Sequence, residues 1–241
     1  MKLTQLIRAN NYIPLKIFAI SMGLLEAIVV VYIREIYYPN GFSFPLKELP
    51  YWLIAVEWAR EISTLLMLGS VAWLSGKSFL KRLSVFLFIF GVWDIVYYIG
   101  LYIILGWPQS LLTWDILFLI PITWVGPVLA PVLCSILMII IALIFDYRIL
   151  QGKLKKLVLT EWLLLIAGAA IIYYTYTVDF GMILINGNFL SDFSNLAENP
   201  EFLQILTTWV PANFNWPLFA FGYTVICVGI VLVIKRSKSG L

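Results

Sequence analysis

The 241-residue sequence contains no histidine, only two cysteines, and just 12% charged residues. Each shortage excludes something. Without histidine there is no bis-histidine haem ligation, no ordinary zinc site, no histidine-based di-iron centre and no Ser-His-Asp relay. Cys134 and Cys227 both fall inside long apolar runs, where a small thiol packs as a hydrophobe. They read as free core thiols, neither a disulfide framework nor a metal site. P-loop, GxGxxG, CxxC, HExxH and GxSxG patterns are also absent, which leaves nucleotide binding and standard hydrolase chemistry without support. No metal and no cofactor is expected.

What the sequence has in abundance is apolar surface, at 62% of residues, with 16% aromatic. An ordinary soluble domain carries about 25% charged residues, roughly twice the share found here. Runs close to the ~20 residues that cross a bilayer as a helix recur along the whole length. We expect an all-α polytopic membrane protein, with residues 1–241 forming a single integral membrane domain. The N-terminal run exceeds 20 residues, carries Glu26 and lacks a small-residue cleavage site, so it reads as a retained first helix rather than a signal peptide.

Hydropathy predicts six spans, near 13–36, 51–74, 83–105, 119–146, 157–179 and 217–234. If the N-terminus is inside, thirteen of the sixteen Lys and Arg fall on the cytoplasmic side: Lys2, Arg8 and Lys16; Lys77, Lys81 and Arg82; Arg148, Lys153, Lys155 and Lys156; Lys235, Arg236 and Lys238. Arg34, Lys47 and Arg60 fall on or toward the other side, with Asp179, Asp192, Glu198 and Glu201. The positive-inside bias therefore places both termini in the cytoplasm and the protein in the cytoplasmic (inner) membrane. Trp52, Trp107, Trp114, Trp209 and Trp216 gather at the proposed outer boundary, as an aromatic belt would. The basic residues form short clusters rather than one continuous face, so nucleic acid is not an expected partner.

Two stretches depart from simple spans. The apolar run from Asp115 to Phe145 would be about 46 Å long as one helix, too long for a ~30 Å core. Pro121, Gly126, Pro127 and Pro131 suggest a short interfacial or re-entrant helix over 110–120, then a Pro-broken fourth span starting near Trp124. In the long outer connection 180–216, Asn199 suits a helix cap, Pro200 suits the first position, and Phe202, Leu203, Ile205, Leu206 and Trp209 form an apolar stripe ended by Pro211. A short outer interfacial helix is expected there, resting on lipid or lidding a cavity.

The second span carries Glu57, Arg60 and Glu61 at i, i+3 and i+4, a single helix face extended a turn by Ser63 and Thr64. Counting from Tyr51 puts Glu57 about 9 Å and Glu61 about 15 Å below the outer boundary. On the first span Glu26 stands about 20 Å from the cytoplasmic end, and Asp94 about 16 Å along the third, sharing its face with Tyr97 and Tyr98. Arg34 and Glu35 sit higher on the first helix. The candidate site is therefore Glu26, Glu57, Arg60, Glu61 and Asp94, supported by Arg34, Thr64, Tyr97 and Tyr98. Its four acids outnumber its two arginines. Such a cluster either keeps some carboxyls protonated or opens to water, and in both cases it can take up a cation: a proton, a metal ion or the amine of a ligand. Opposing this, the same acids could pair with Arg60 and Arg34 or bond to neighbouring hydroxyls merely to fix helix register.

Three functions compete. The first is proton- or cation-dependent transport of a small solute through a pocket open to the outer side; the scarcity of acids on the cytoplasmic half, where Glu161 stands alone, counts against it. The second is an intramembrane enzyme acting on a lipid or other amphiphile at the outer leaflet, with an acid as general acid or base and Arg60 for a phosphate or carboxylate. The third is a non-catalytic subunit or assembly factor of a membrane complex, its aromatic faces packing on partners or a hydrophobic cofactor; the oligomeric state stays open. The repeated strings REI (34–36, 60–62) and WDI (93–95, 114–116) are too short to argue for an inverted repeat.

Overall fold

The computed structural model describes residues 12–189, 196 and 199–239. Lys2, Arg8, Asp192 and Glu198 of the charge map lie outside the described residues. Among the described residues, seven helices and one two-stranded hairpin follow in the order α1 (Tyr12–Tyr37), α2 (Tyr51–Leu74), α3 (Phe79–Leu105), β1 (Trp114–Phe118), β2 (Trp124–Pro127), α4 (Leu129–Leu150), α5 (Leu159–Asn186), α6 (Pro200–Leu206) and α7 (Trp216–Ser239). Five of them (α1, α3, α4, α5 and α7) are long and apolar enough to cross a membrane. The chain is a multi-pass membrane protein. Helix α2 matches them in length, at 24 residues, but carries Glu57, Arg60 and Glu61 along its middle.

Local chemistry sets the boundaries. Ser78 caps α3 by accepting from the Lys81 N–H at 3.3 Å, and this cap starts the helix four residues before the predicted apolar run, across Lys81 and Arg82. Gly106 ends it with φ +65°, the left-handed conformation usual after a helix end. A short helix forms where one is expected but ends at Leu206, before Trp209: the Asn199 side chain accepts from the Glu201 and Phe202 N–H groups at 3.0 and 3.1 Å, and Pro200 takes the first position.

The fourth span departs from expectation. Residues 110–120 contain no helix, and 119–146 is not one kinked span: Trp114–Phe118 and Trp124–Pro127 pair as an antiparallel hairpin, and α4 begins only at Leu129. The prolines explain it. Pro121 lies in the turn and Pro127 at the end of β2, where neither could sit inside a helix, while Pro131 falls in the first turn of α4, where its missing N–H costs nothing. Aromatic and β-branched residues in between favour strand. Irregular backbone at membrane depth must be buried in protein, and the hairpin is wedged between α1–α4 on one side and α5 on the other.

Around it, α3 packs along α1, α2 and α4, and α5 pairs with α7. Close approach needs small residues. A Cβ at Gly168 would lie 2.6 Å from the Gly222 carbonyl oxygen, and one at Gly222 would lie 2.9 Å from that of Gly168, so α5 and α7 touch backbone to backbone. Of the tryptophans expected in an aromatic belt, Trp52 is exposed, Trp107 is buried against Phe42, Tyr98 and Arg34, and Trp114, Trp209 and Trp216 are half-buried against other rings. Both cysteines are free thiols. At the basic end, Glu161 accepts from Arg236 at 2.8 and 3.0 Å, tying α5 to α7.

The packing yields a paired prediction. Gly168→Ala should lower the thermal unfolding midpoint of the detergent-solubilised protein, with an overpacking cost of about 1–3 kcal/mol. Gly69→Ala, where an added Cβ meets nothing within 4 Å, should leave the midpoint unchanged or slightly raised.

Candidate functional site

The site is assembled from the polar faces of α1, α2 and α3, closed by the hairpin. Glu26 of α1 accepts from the Thr64 hydroxyl at 3.1 Å and pairs with Arg60, both on α2. Arg60 also donates through Nε and Nη2 to Glu57 at 2.9 and 2.7 Å, a consequence of their i, i+3 spacing. One guanidinium thus serves two carboxylates on two helices. Glu61, one turn on, forms no direct ion pair among the described residues; both its oxygens accept the Leu119 backbone N–H of the hairpin at 3.0 Å. Asp94 of α3 accepts from the Ser135 hydroxyl of α4 at 2.7 Å.

Arg34 marks the upper wall. Its Nη2 donates at 2.7 Å to Asp115, which lies on β1 and is fully buried, and Asp115 Oδ1 also accepts the Ile116 N–H at 2.9 Å. The Arg34 guanidinium rests 3.8 Å from the centroid of Trp107 and 4.5 Å from that of Phe42. Cation–π contact and ion pair together hold a buried charge that neither would hold alone. Tyr38, just beyond α1, accepts the Lys47 N–H at 2.9 Å, and burial pushes its phenol above the usual range.

These groups enclose a cavity of about 140 Å³. All nine residues picked from the sequence line it: Glu26, Glu57, Arg60, Glu61, Asp94, Arg34, Thr64, Tyr97 and Tyr98. Ser63 does not, being exposed and bonded to the Ala59 carbonyl at 2.7 Å, and Glu35 is exposed on the outer face of α1. The sequence reading missed Asp115, Trp93 and the hairpin edge Ile116–Leu119, which also line the cavity. Asp115 had been legible only as the start of an apolar run. The balance is thereby more acidic than expected, with five carboxyls against two guanidiniums among the described lining residues. Arg34 is engaged by Asp115 and Arg60 by Glu26 and Glu57, so Glu61, which feels Arg60 only at longer range, and Asp94 form no direct ion pair among the described residues.

Below the cavity the polar path stops. Met22, Leu68, Phe88 and Trp93 belong to an apolar cluster that fills the bundle between it and the basic end. There Asp146, fully buried, is bonded by Tyr12 and by Lys81 Nζ at 2.8 Å, joining α1, α3 and α4. Glu161 is therefore not the lone acid of that half. Among the described residues no three His, Cys, Asp or Glu side chains converge as metal ligands. No family model, curated protein or solved structure matches the chain.

The Arg34–Asp115 pair gives the clearest stability test. Asp115→Asn or Arg34→Met alone leaves a buried charge unpaired and should cost about 3–5 kcal/mol, whereas the double variant should recover much of that loss. Thermal unfolding of the four proteins in detergent, analysed as a double-mutant cycle, checks it.

Proposed function

We propose that the chain crosses the cytoplasmic membrane six times, α2 being the sixth span, with both termini inside, and that it mediates proton- or cation-dependent transport from the outer side. The observation that carries this reading is the excess of carboxyl groups over guanidiniums around one buried cavity. Buried charge without a partner is costly, so Glu61 and Asp94 favour any state that brings a cation to them. Helix α2 tolerates its three charges because Glu57 and Glu61 face the cavity, and Arg60, half-buried, reaches Glu26 across it. The apolar cluster and the Tyr12–Asp146–Lys81 contacts fit the sealed inner end of an outward-loading conformation. Basic side chains such as Lys77, Lys81, Arg82, Arg148 and Lys153 lie at that same end, in keeping with the positive-inside rule.

A second reading, an intramembrane enzyme acting on an amphiphile at the outer leaflet, is favoured by an apolar cavity directly beside the acidic one. Lipid profiling of a deletion strain separates the two, because an enzyme leaves an accumulated precursor and a simple ion pathway does not.

Two measurements test the proposal. Purified protein in proteoliposomes should support a cation flux dependent on the pH gradient, and Glu61→Gln should cut it by about tenfold or more, the effect of losing a charged contact worth 1.4 kcal/mol or above; a flux unchanged by that substitution removes Glu61 from the pathway. Alkaline phosphatase fused after Trp107 should be active in the periplasm, and fusions after Lys77, Gly152 and Ser237 inactive. A fusion after Lys47 should also be active, and equal activities after Lys47 and Lys77, which only α2 separates, would show that α2 does not span.

A further inference from the structure

Beside the acidic chamber lies a second cavity of about 200 Å³, between the first turns of α2, the hairpin turn and α6. Its walls are apolar and aromatic, with Trp58, Ile122, Phe180 and Leu203 among them. The two cavities share Tyr38, Leu49, Glu57, Ile116 and Leu119 in their linings, so they lie side by side. A bare metal ion or proton would make no use of the annex.

The chamber also holds a hydrogen-bond donor with nothing to bond. Trp93 is 5% exposed and its Nε1, the only polar atom of the side chain, has no acceptor. Arg34 Nη1 is buried and unfilled in the same way, its partner Asp115 being taken by Nη2. Arg34 Nη1 has an equally unfilled acceptor, Asp115 Oδ2, on its own ion-pair partner, so Trp93 Nε1 is the donor that points to an oxygen a ligand brings, buried donors being almost always satisfied. Tyr97 and Tyr98 add aromatic rings to the lining.

We propose that chamber and annex together bind one amphiphilic amino alcohol: its ammonium lies among Glu57, Glu61 and Asp94, its hydroxyl oxygen accepts from Trp93, and its apolar chain fills the annex. This rests on the reading that the acidic chamber takes up a cation, and names the class of cation. Charge complementarity selects the amine over an acid, and the apolar lining selects a chain-bearing amine over a small one. The unfilled donor selects oxygen next to nitrogen.

Isothermal titration of the full chain in phosphatidylcholine nanodiscs, with 2-amino-1-octanol, octylamine, 1-octanol and ethanolamine as probes, dissects these contributions. Aminooctanol should bind about tenfold or more tighter than ethanolamine, from chain burial, and about tenfold or more tighter than octanol, from the charged contacts. It should bind about fivefold tighter than octylamine, a preference that Trp93→Phe erases. Ala55→Trp and Leu203→Trp, two independent fillings of the annex at positions that are not buried, should each weaken aminooctanol about tenfold more than they weaken ethanolamine. Equal binding of ethanolamine and aminooctanol, both weakened by Glu61→Gln, would overturn the amphiphile and leave the cation site standing. Octanol binding as tightly as aminooctanol, or amine binding indifferent to Glu61→Gln, would overturn the cation reading and this one with it.

Discussion

A β-hairpin inside a helical membrane protein is stable only if its edge donors find partners without water, and the rest of this structure follows from how that is achieved. Its outer edge meets two charged side chains. Glu61 on α2 receives the Leu119 N–H, and Arg34 on α1 holds Asp115 at the start of β1. Its other strand turns toward α5, where Trp124 stacks with Tyr176 and meets Tyr173 edge to face. The hairpin thus needs an ionised or strongly polar wall on α1 and α2, and that wall, once present, cannot be neutralised by the two arginines that share it. Structural need and the proposed cation affinity arise from the same side chains.

The two ends of the bundle answer the cost of buried charge differently. At the basic end, Asp146 meets Tyr12 and Lys81, and Glu161 meets Arg236, so each acid has a hydrogen-bonded cation. At the hairpin end Arg60 is shared by Glu26 and Glu57, while Glu61 accepts from backbone amides of the hairpin and Asp94 from the Ser135 hydroxyl, neither in a direct ion pair among the described residues. A closed end and a receptive end in one short bundle form the asymmetry expected of a protein that loads from one side.

Much of this was legible in the sequence, for specific reasons. Long apolar runs with basic borders locate α1, α2 and α5 to within a few residues except at the end of α5, which runs on through 180–186 because those residues are themselves apolar. Charges at i, i+3 and i+4 on α2 had to share a face, and matching depths on three consecutive helices brought Glu26, Glu57, Glu61 and Asp94 to one cavity. The hairpin was illegible because WDILFLIPITWVGP is as apolar as a helix interior: hydropathy measures burial, and period-2 alternation vanishes when both faces are buried. Asp115 and Trp93 were missed with it, since their roles exist only when β1 folds back into the bundle. Asp146 was hidden by its place at a helix end, where an acid is ordinarily solvated.

The central claim is that a hairpin anchored at Glu61 and Arg34 closes an acidic chamber with more carboxyls than arginines can neutralise, and that this chamber is occupied in the membrane. An experimental density map of the protein in lipid nanodiscs at neutral pH tests it most directly. The account predicts β1 against α1 and α2, with Asp115 on Arg34, and non-protein density between Arg60, Glu61 and Asp94. A map in which 114–127 is helical, or in which Glu26, Glu61 and Asp94 turn to separate surroundings with no enclosed space between them, would contradict it.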